Sequence, residues 1–224
     1  MDEGVYTLMK TIGILGGMGS YATLDLFRRV LKAFPAEKEW DRPRVLIHNN
    51  CTMPSRVRAI LYNEKQEQII SEMSESINQM VEGGATKILL GCITAHYFLP
   101  RLPHQELIIN AAEITAKKIE PGDVVVLCTE GSVEAGIWTE VLKHCNITYP
   151  DEEQMKQLRE FIEVVKQDKI TAEWQLKFVE YINSFACGRI VLGCTELPVL
   201  LGENWTDKKI IDPMQYAIEN LKYE

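Results

Sequence analysis

Gly83 to His96 reads GGATKILLGCITAH, and Ala186 to Leu197 reads ACGRIVLGCTEL. Each stretch carries small residues, a basic residue, a short apolar run, then Leu-Gly-Cys and a threonine. A short apolar run bounded by glycines has the length of a buried strand. A cysteine directly past such a strand lies at the carboxyl edge, where open α/β sheets bind ligands. The shared Leu-Gly-Cys ending predicts two similar α/β halves, each presenting one cysteine, Cys92 or Cys194, at that edge.

The pattern continues outward in both directions. Further strands are expected at Thr11–Leu15, Arg44–Asn49, Lys87–Leu90, Asp123–Cys128 and Arg189–Leu192, with weaker ones at Glu106–Ile109, Asn146–Tyr149 and Lys208–Ile211. Amphipathic helices are expected at Tyr21–Ala33, Asn63–Glu82, Asp151–Gln167 and Thr171–Phe185. Ile69, Ile70, Met73, Ile77 and Met80 recur at helical spacing. Asp151-Glu152-Glu153 after Pro150 places negative charge at a helix start, where the backbone dipole favours it. Alternating strands and helices with continuously apolar strands predict a parallel sheet covered on both faces.

Composition narrows the class. The chain has 224 residues, 46% of them hydrophobic and 25% charged, which suits a globular protein with a full core. A formal net charge of -8 argues against a nucleic-acid or anionic-membrane partner. No apolar run reaches the length of a membrane span. The opening MDEGVYTLMK lacks an apolar export core, so the expectation is a cytoplasmic protein. In that compartment the six cysteines, Cys51, Cys92, Cys128, Cys145, Cys187 and Cys194, are expected as reduced thiols. No CxxC pair occurs, so a zinc or thioredoxin-like site has little support.

Gly13, Gly16, Gly17 and Gly19 crowd the end of the first strand, and Gly17 to Ala22 fits G-x-G-x-x-A. A dinucleotide site needs an acidic residue after the second strand, where this chain has Asn49 and Asn50. The better reading is a turn whose small residues let a ligand reach the backbone, with a helix start near Ser20 attracting a carboxylate.

Cys92 and Cys194 each follow a glycine and precede polar residues, so both are expected at helix starts with thiol pKa values lowered toward neutral. His96 lies one helical turn past Cys92, and Glu196 lies two residues past Cys194. A single cysteine after a buried strand is commonly an inert small hydrophobe, which is the reading for Cys128, Cys145 and Cys187. Two Gly-Cys sites at matching edges point to function: paired acid and base, or a nucleophile with its resolving thiol.

At these residues the chain resembles the aspartate/glutamate racemase family over nearly its whole length. The resemblance rests on GILGGMGSYAT (Gly13 to Thr23), NNCTMPSR (Asn49 to Arg56), GCITAH, LGCTELP (Leu192 to Pro198), Tyr149-Pro150-Asp151 and Asp212-Pro213. It implies two Rossmann-like halves related by a pseudo-twofold axis, with the active site in the cleft between them. Residues 1–110 would form the first half and 111–212 the second, with a last helix in 213–224 returning to the first. Cys92 and Cys194 match the catalytic cysteines, one removing the α-proton and the other supplying a proton to the opposite face. Neither pyridoxal phosphate nor a metal is implied. Asn50, Arg56, Thr94 and Thr195 match substrate-binding positions, and Lys166 matches a lysine near the site. Gly17 and Met18 belong to the ligand-approach turn, with His96 and Glu196 in support. A homodimer acting on a small, acidic amino acid is implied. Arg56 is the natural grip for the acidic side chain because guanidinium holds carboxylate through two bonds, with Arg58 as fallback.

The chain departs from the family pattern in three places. Ile93 stands where the family carries Asn, removing a polar group expected beside the substrate. Ser20 replaces a common Pro in the glycine turn. Glu130 follows Cys128-Thr129 where hydroxyl residues are usual, and an anion in the pocket would repel an acidic substrate. These departures leave three readings: an aspartate or glutamate racemase, a related racemase, isomerase or decarboxylase for other substrates, and a silent ligand-binding homologue.

Overall fold

The computed structural model describes residues 11–222. The acidic opening and the last two residues of the returning segment lie outside them. The first sheet contains β1 (Thr11–Gly16), β2 (Arg44–Asn49), β3 (Lys87–Leu90) and β4 (Ile108–Ile109). The second contains β5 (Gly122–Leu127), β6 (Cys145–Thr148), β7 (Arg189–Leu192) and β8 (Lys209–Ile211). The orders are β2-β1-β3-β4 and β6-β5-β7-β8, and every pairing is parallel. The second sheet therefore repeats the first, as the Leu-Gly-Cys recurrence leads one to expect.

The described residues also form ten α-helices: α1 (Ser20–Ala33), α2 (Arg56–Tyr62), α3 (Gln66–Glu82), α4 (Ala111–Lys118), α5 (Glu130–Glu134), α6 (Ile137–Val141), α7 (Glu152–Lys166), α8 (Ala172–Asn183), α9 (Glu196–Leu201) and α10 (Pro213–Asn220). Asp151 caps α7 by accepting from the Gln154 N–H while the Gln154 side chain accepts from the Asp151 N–H. The helix expected from Asn63 starts at Gln66 as α3, and α2, which was not expected, ends just before Asn63. Asn63 and Lys65 both adopt left-handed backbone there, which ends one helix and starts another.

Strand alternation builds three cores. Ile12, Ile14, Leu89, Val124, Val126 and Val191 turn into one shared core between the two sheets. Leu15, Ile88 and Leu90 face the layer under α3, while Val125, Leu127, Ile190 and Leu192 face the layer under α7 and α8. The shared core is closed by Leu26 and Val30 of α1, Trp138 of α6, and Met214 and Ile218 of α10. Each fully buried Ile, Leu or Val stabilises by about 1.5–3 kcal/mol, so the halves are joined by apolar burial. α10 packs on α1 and α4, and Arg29 of α1 pairs with Asp212 at its start. The carboxyl ends of β1, β3, β5 and β7 are thereby brought toward one another.

Among the described residues no helix is long and apolar enough to cross a membrane. All six cysteines are unpaired.

Candidate active site

A cavity of about 40 Å³ lies between the halves, lined by Met18, Ser55, Arg56, Val57, Cys92, Thr94, Thr129, Lys166, Cys194 and Glu196. Such a space holds a few waters and is smaller than an amino acid, so this conformation is closed. Cys92 follows β3, Cys194 follows β7, and Thr129 follows β5. The site thus uses matching strand ends of the two halves.

Cys194 is buried, and its thiol donates to Glu196 Oε2 over 3.0 Å. Burial raises the Cys194 pKa well above the ordinary thiol value, the Glu196 carboxylate and Cys92 raise it further, and Lys166 opposes. The expected lowering by a helix start does not occur at Cys194. The helix that follows it, α9, spans only Glu196–Leu201, and the carboxylate at its first residue outweighs so short a dipole. Cys92 is half-buried.

The turn after Cys92 is a 3₁₀ helix, Thr94–Arg101, rather than an α-helix. His96 Nδ1 lies 3.1 Å from both the Cys92 and Ile93 carbonyls, and His96 Nε2 accepts the Ala111 N–H at 3.3 Å. The ring occupies the Cys92 carbonyl that an α-helix would bond to the His96 N–H, and Pro100 has no N–H to extend the ladder. Both ring nitrogens serve backbone, so His96 braces the Cys92 turn and the start of α4. Burial holds its pKa below the usual histidine value.

Three hydroxyls form a buried triangle across the halves. Thr94 Oγ1 lies 3.0 Å from Thr129 Oγ1 and 2.9 Å from Ser132 Oγ, which are 3.2 Å apart. Arg56 also lines the cavity. Its guanidinium donates to the carbonyls of Pro54 at 2.8 Å, Met18 at 3.1 Å and Met53 at 3.4 Å. Its Nε is buried with no acceptor, and no carboxylate among the described residues pairs with it. An unpaired buried N–H of a cation costs free energy that an incoming carboxylate would recover. Lys166, at the end of α7, bonds Glu163 at 3.3 Å. Burial works against its charge, but Glu196, Cys194 and Glu163 outweigh burial and raise its pKa.

The remaining sequence candidates sit beside the cavity. Gly17 has φ +82°, and a Cβ there would lie 2.1 Å from the Asn50 carbonyl carbon. The Asn50 amide donates to Glu72 at 3.3 Å and Ser76 at 3.5 Å. Thr195 Oγ1 donates to Gly91 O at 3.1 Å. A Cβ on Gly19 would come within 2.1 Å of Glu196 Oε1. The carboxylate drawn to the glycine turn is thus the protein's own, from the other half.

Of the three departures, Ile93 is buried in the shared core and is not a cavity wall, and Ser20 does not line the cavity either. Glu130 pairs with Arg159 of α7 at 2.7 Å and lies outside the lining. Sequence reasoning missed Thr129, Ser132 and Ser55. The signal was available: Cys128-Thr129-Glu130-Gly131-Ser132 follows β5 as the glycine turn follows β1. Among the described residues no group of three or more His, Cys, Asp or Glu is placed to hold a metal.

Two parallel α/β halves closing on a pocket with a thiol from each define an enzyme of the racemase class. Residues 15–221 match the family model described as Asp/Glu/Hydantoin racemase, and the chain belongs to that family. It is similar to the aspartate racemase of Picrophilus torridus, at 27% identity and a TM-score of 0.80 over 92% of this chain and 89% of that one. An aspartate racemase homologue from Pyrococcus horikoshii matches at 19% identity and 0.71, over 96% and 98%. The glutamate racemase of Thermus thermophilus matches at 14% identity and 0.62, over 96% and 80%. These last two share the fold.

Proposed function

We propose that this chain interconverts the L and D forms of aspartate, glutamate or both, without pyridoxal phosphate or metal, using Cys92 and Cys194 as paired base and acid. The observation that carries this reading is the convergence of both thiols on one cavity that also holds two cations, Arg56 and Lys166. One thiolate removes the α-proton while the opposite thiol delivers its own proton to the other face. The sulfurs exchange protonation states and the net charge of the site is unchanged. The developing negative charge is met by the threonine hydroxyls and the cations in a water-poor cleft, where fixed donors act strongly. Arg56 Nε binds one carboxylate of the substrate and Lys166 serves the other.

Aspartate is the better fit. The likeness to an aspartate racemase holds at higher identity than the likeness to glutamate racemases. The silent-homologue reading loses its motive, because neither Ile93 nor Glu130 lines the cavity. The proposal includes a homodimer, which sizing with light scattering tests. The substrate is tested by chiral chromatography after incubation with L- and D-aspartate, L- and D-glutamate and a panel of other amino acids. Racemisation of aspartate ahead of glutamate is expected. Turnover confined to non-acidic substrates would overturn the assignment.

A further inference from the structure

The two cavity thiols are not equivalent, and the difference lies in Glu196. Its carboxylate is buried in contact with three residues. Oε2 accepts from Cys194 Sγ at 3.0 Å and lies 3.3 Å from Thr195 Oγ1. Oε1 lies against the Cα of Gly19, in the space a side chain would otherwise fill. Cys92, also lining the cavity, is half-buried, and among the described residues no hydrogen bond links it to a carboxylate. The charged and titratable groups facing Cys194 are Glu196 on α9, Cys92 after β3 and Lys166 on α7, and Arg56 lines the same cavity.

We propose that Glu196 is a positioning residue that keeps the proton on Cys194 in the resting enzyme, so that Cys194 waits as the acid and Cys92 as the base. This rests on the two-thiol reading of the site. Proton bookkeeping shows what the carboxylate does. In one turnover the Cα–H bond breaks and its proton goes to Cys92 sulfur. The Cys194 S–H bond breaks and its proton goes to the opposite face of Cα. The product leaves Cys92 as thiol and Cys194 as thiolate, and that thiolate now lies beside the Glu196 carboxylate. Two anions at hydrogen-bond distance in a buried site repel strongly. The proton therefore passes back from Cys92 to Cys194, through water in the emptied cavity, and restores the resting form. Gly19 is required because its bare Cα lets the carboxylate sit there. Lys166 limits the rise in the Cys194 pKa.

The test reads Cys194 directly, without turnover. The full chain is alkylated with iodoacetamide at a series of pH values, and modification of the Cys194 peptide is quantified by mass spectrometry. Rates are scaled to their alkaline plateau, which removes accessibility differences. The wild-type midpoint should lie above the ordinary thiol value of about 8.5. Glu196→Gln should lower that midpoint by about one pH unit or more. Lys166→Met should raise it. The alkaline limb of the racemisation profile should follow in the same directions. If Glu196→Gln fails to fold, Glu196→Asp, which withdraws the carboxylate by one methylene, and Lys166→Met carry the test. An unchanged Cys194 midpoint in Glu196→Gln or Glu196→Asp would overturn the proposal even if racemisation persists. A shifted midpoint in a chain that racemises nothing would support the Glu196–Cys194 coupling and sink the catalytic reading alone.

Discussion

Thr195, the residue after one cavity cysteine, donates its hydroxyl to the carbonyl of Gly91, the residue before the other, at 3.1 Å. This bond ties the carboxyl ends of β3 and β7 and sets the two thiol-bearing turns against each other. Thr195→Val keeps the shape but leaves a buried carbonyl unsatisfied, at a cost of about 1–3 kcal/mol. A lower midpoint in urea unfolding, with weakened racemisation, is expected. Wild-type stability in that variant would show that the tie carries no weight.

Arg56 holds the cavity wall through three carbonyls, with Nε unpartnered. Arg56→Lys preserves the charge but loses the planar fork. KM for the acidic substrate should rise by about tenfold or more, from hydrogen bonds to charge worth about 1.5–3 kcal/mol. Steady-state kinetics on both enantiomers measures this. An unaltered KM would remove Arg56 from substrate binding.

Gly131 of α5 lets α2 approach, since a Cβ there would stand 2.9 Å from the Val57 Cα. Gly131→Ala should push α2, and Arg56 with it, away from the second half, at about 1–3 kcal/mol. Weaker substrate binding with the fold retained by circular dichroism is expected. Unchanged binding would mean that the α2–α5 contact does not position Arg56.

Much of this was legible in the sequence, for reasons particular residues make plain. The recurrence around Cys92 and Cys194 announced the repeated sheet because strand, glycine and thiol must be adjacent in the chain. Arg56, Thr94 and Lys166 came from the resemblance and do line the cavity. What could not be read was which partner each group would meet. Nothing near Gly19 in sequence says that Glu196 will cover it. Nothing near His96 says that Ala111 will take its second nitrogen. The rise in the Cys194 pKa follows first from burial in the folded chain and then from the Glu196 carboxylate, where local reasoning about helix starts gives the opposite sign.

Stability should fall on both sides of neutrality. The folded-state pKa of His96 is depressed by burial, so its contribution is complete above the unfolded value of 6.5 and is lost as pH falls toward the folded one. Cys128 is raised by burial and then by Glu130, and Cys194 by burial and then by Glu196. Their contributions are complete below the ordinary thiol value of about 8.5 and are lost as pH climbs toward the folded values. Melting temperatures across this range should form a plateau with two falling limbs. His96→Gln should flatten the acid limb and Cys128→Ala part of the alkaline one. Limbs identical to wild type in those variants would assign the pH dependence to other groups.

The most direct measurement of the central claim is α-proton exchange in heavy water, followed by NMR on L- and D-aspartate and L- and D-glutamate. Wild-type protein is compared with Cys92→Ser and Cys194→Ser. The account predicts exchange with inversion in the wild type, reduced by about 10²–10⁴-fold in each variant. Exchange that survives loss of either thiol, or that is absent from all four substrates in the wild type, would contradict it.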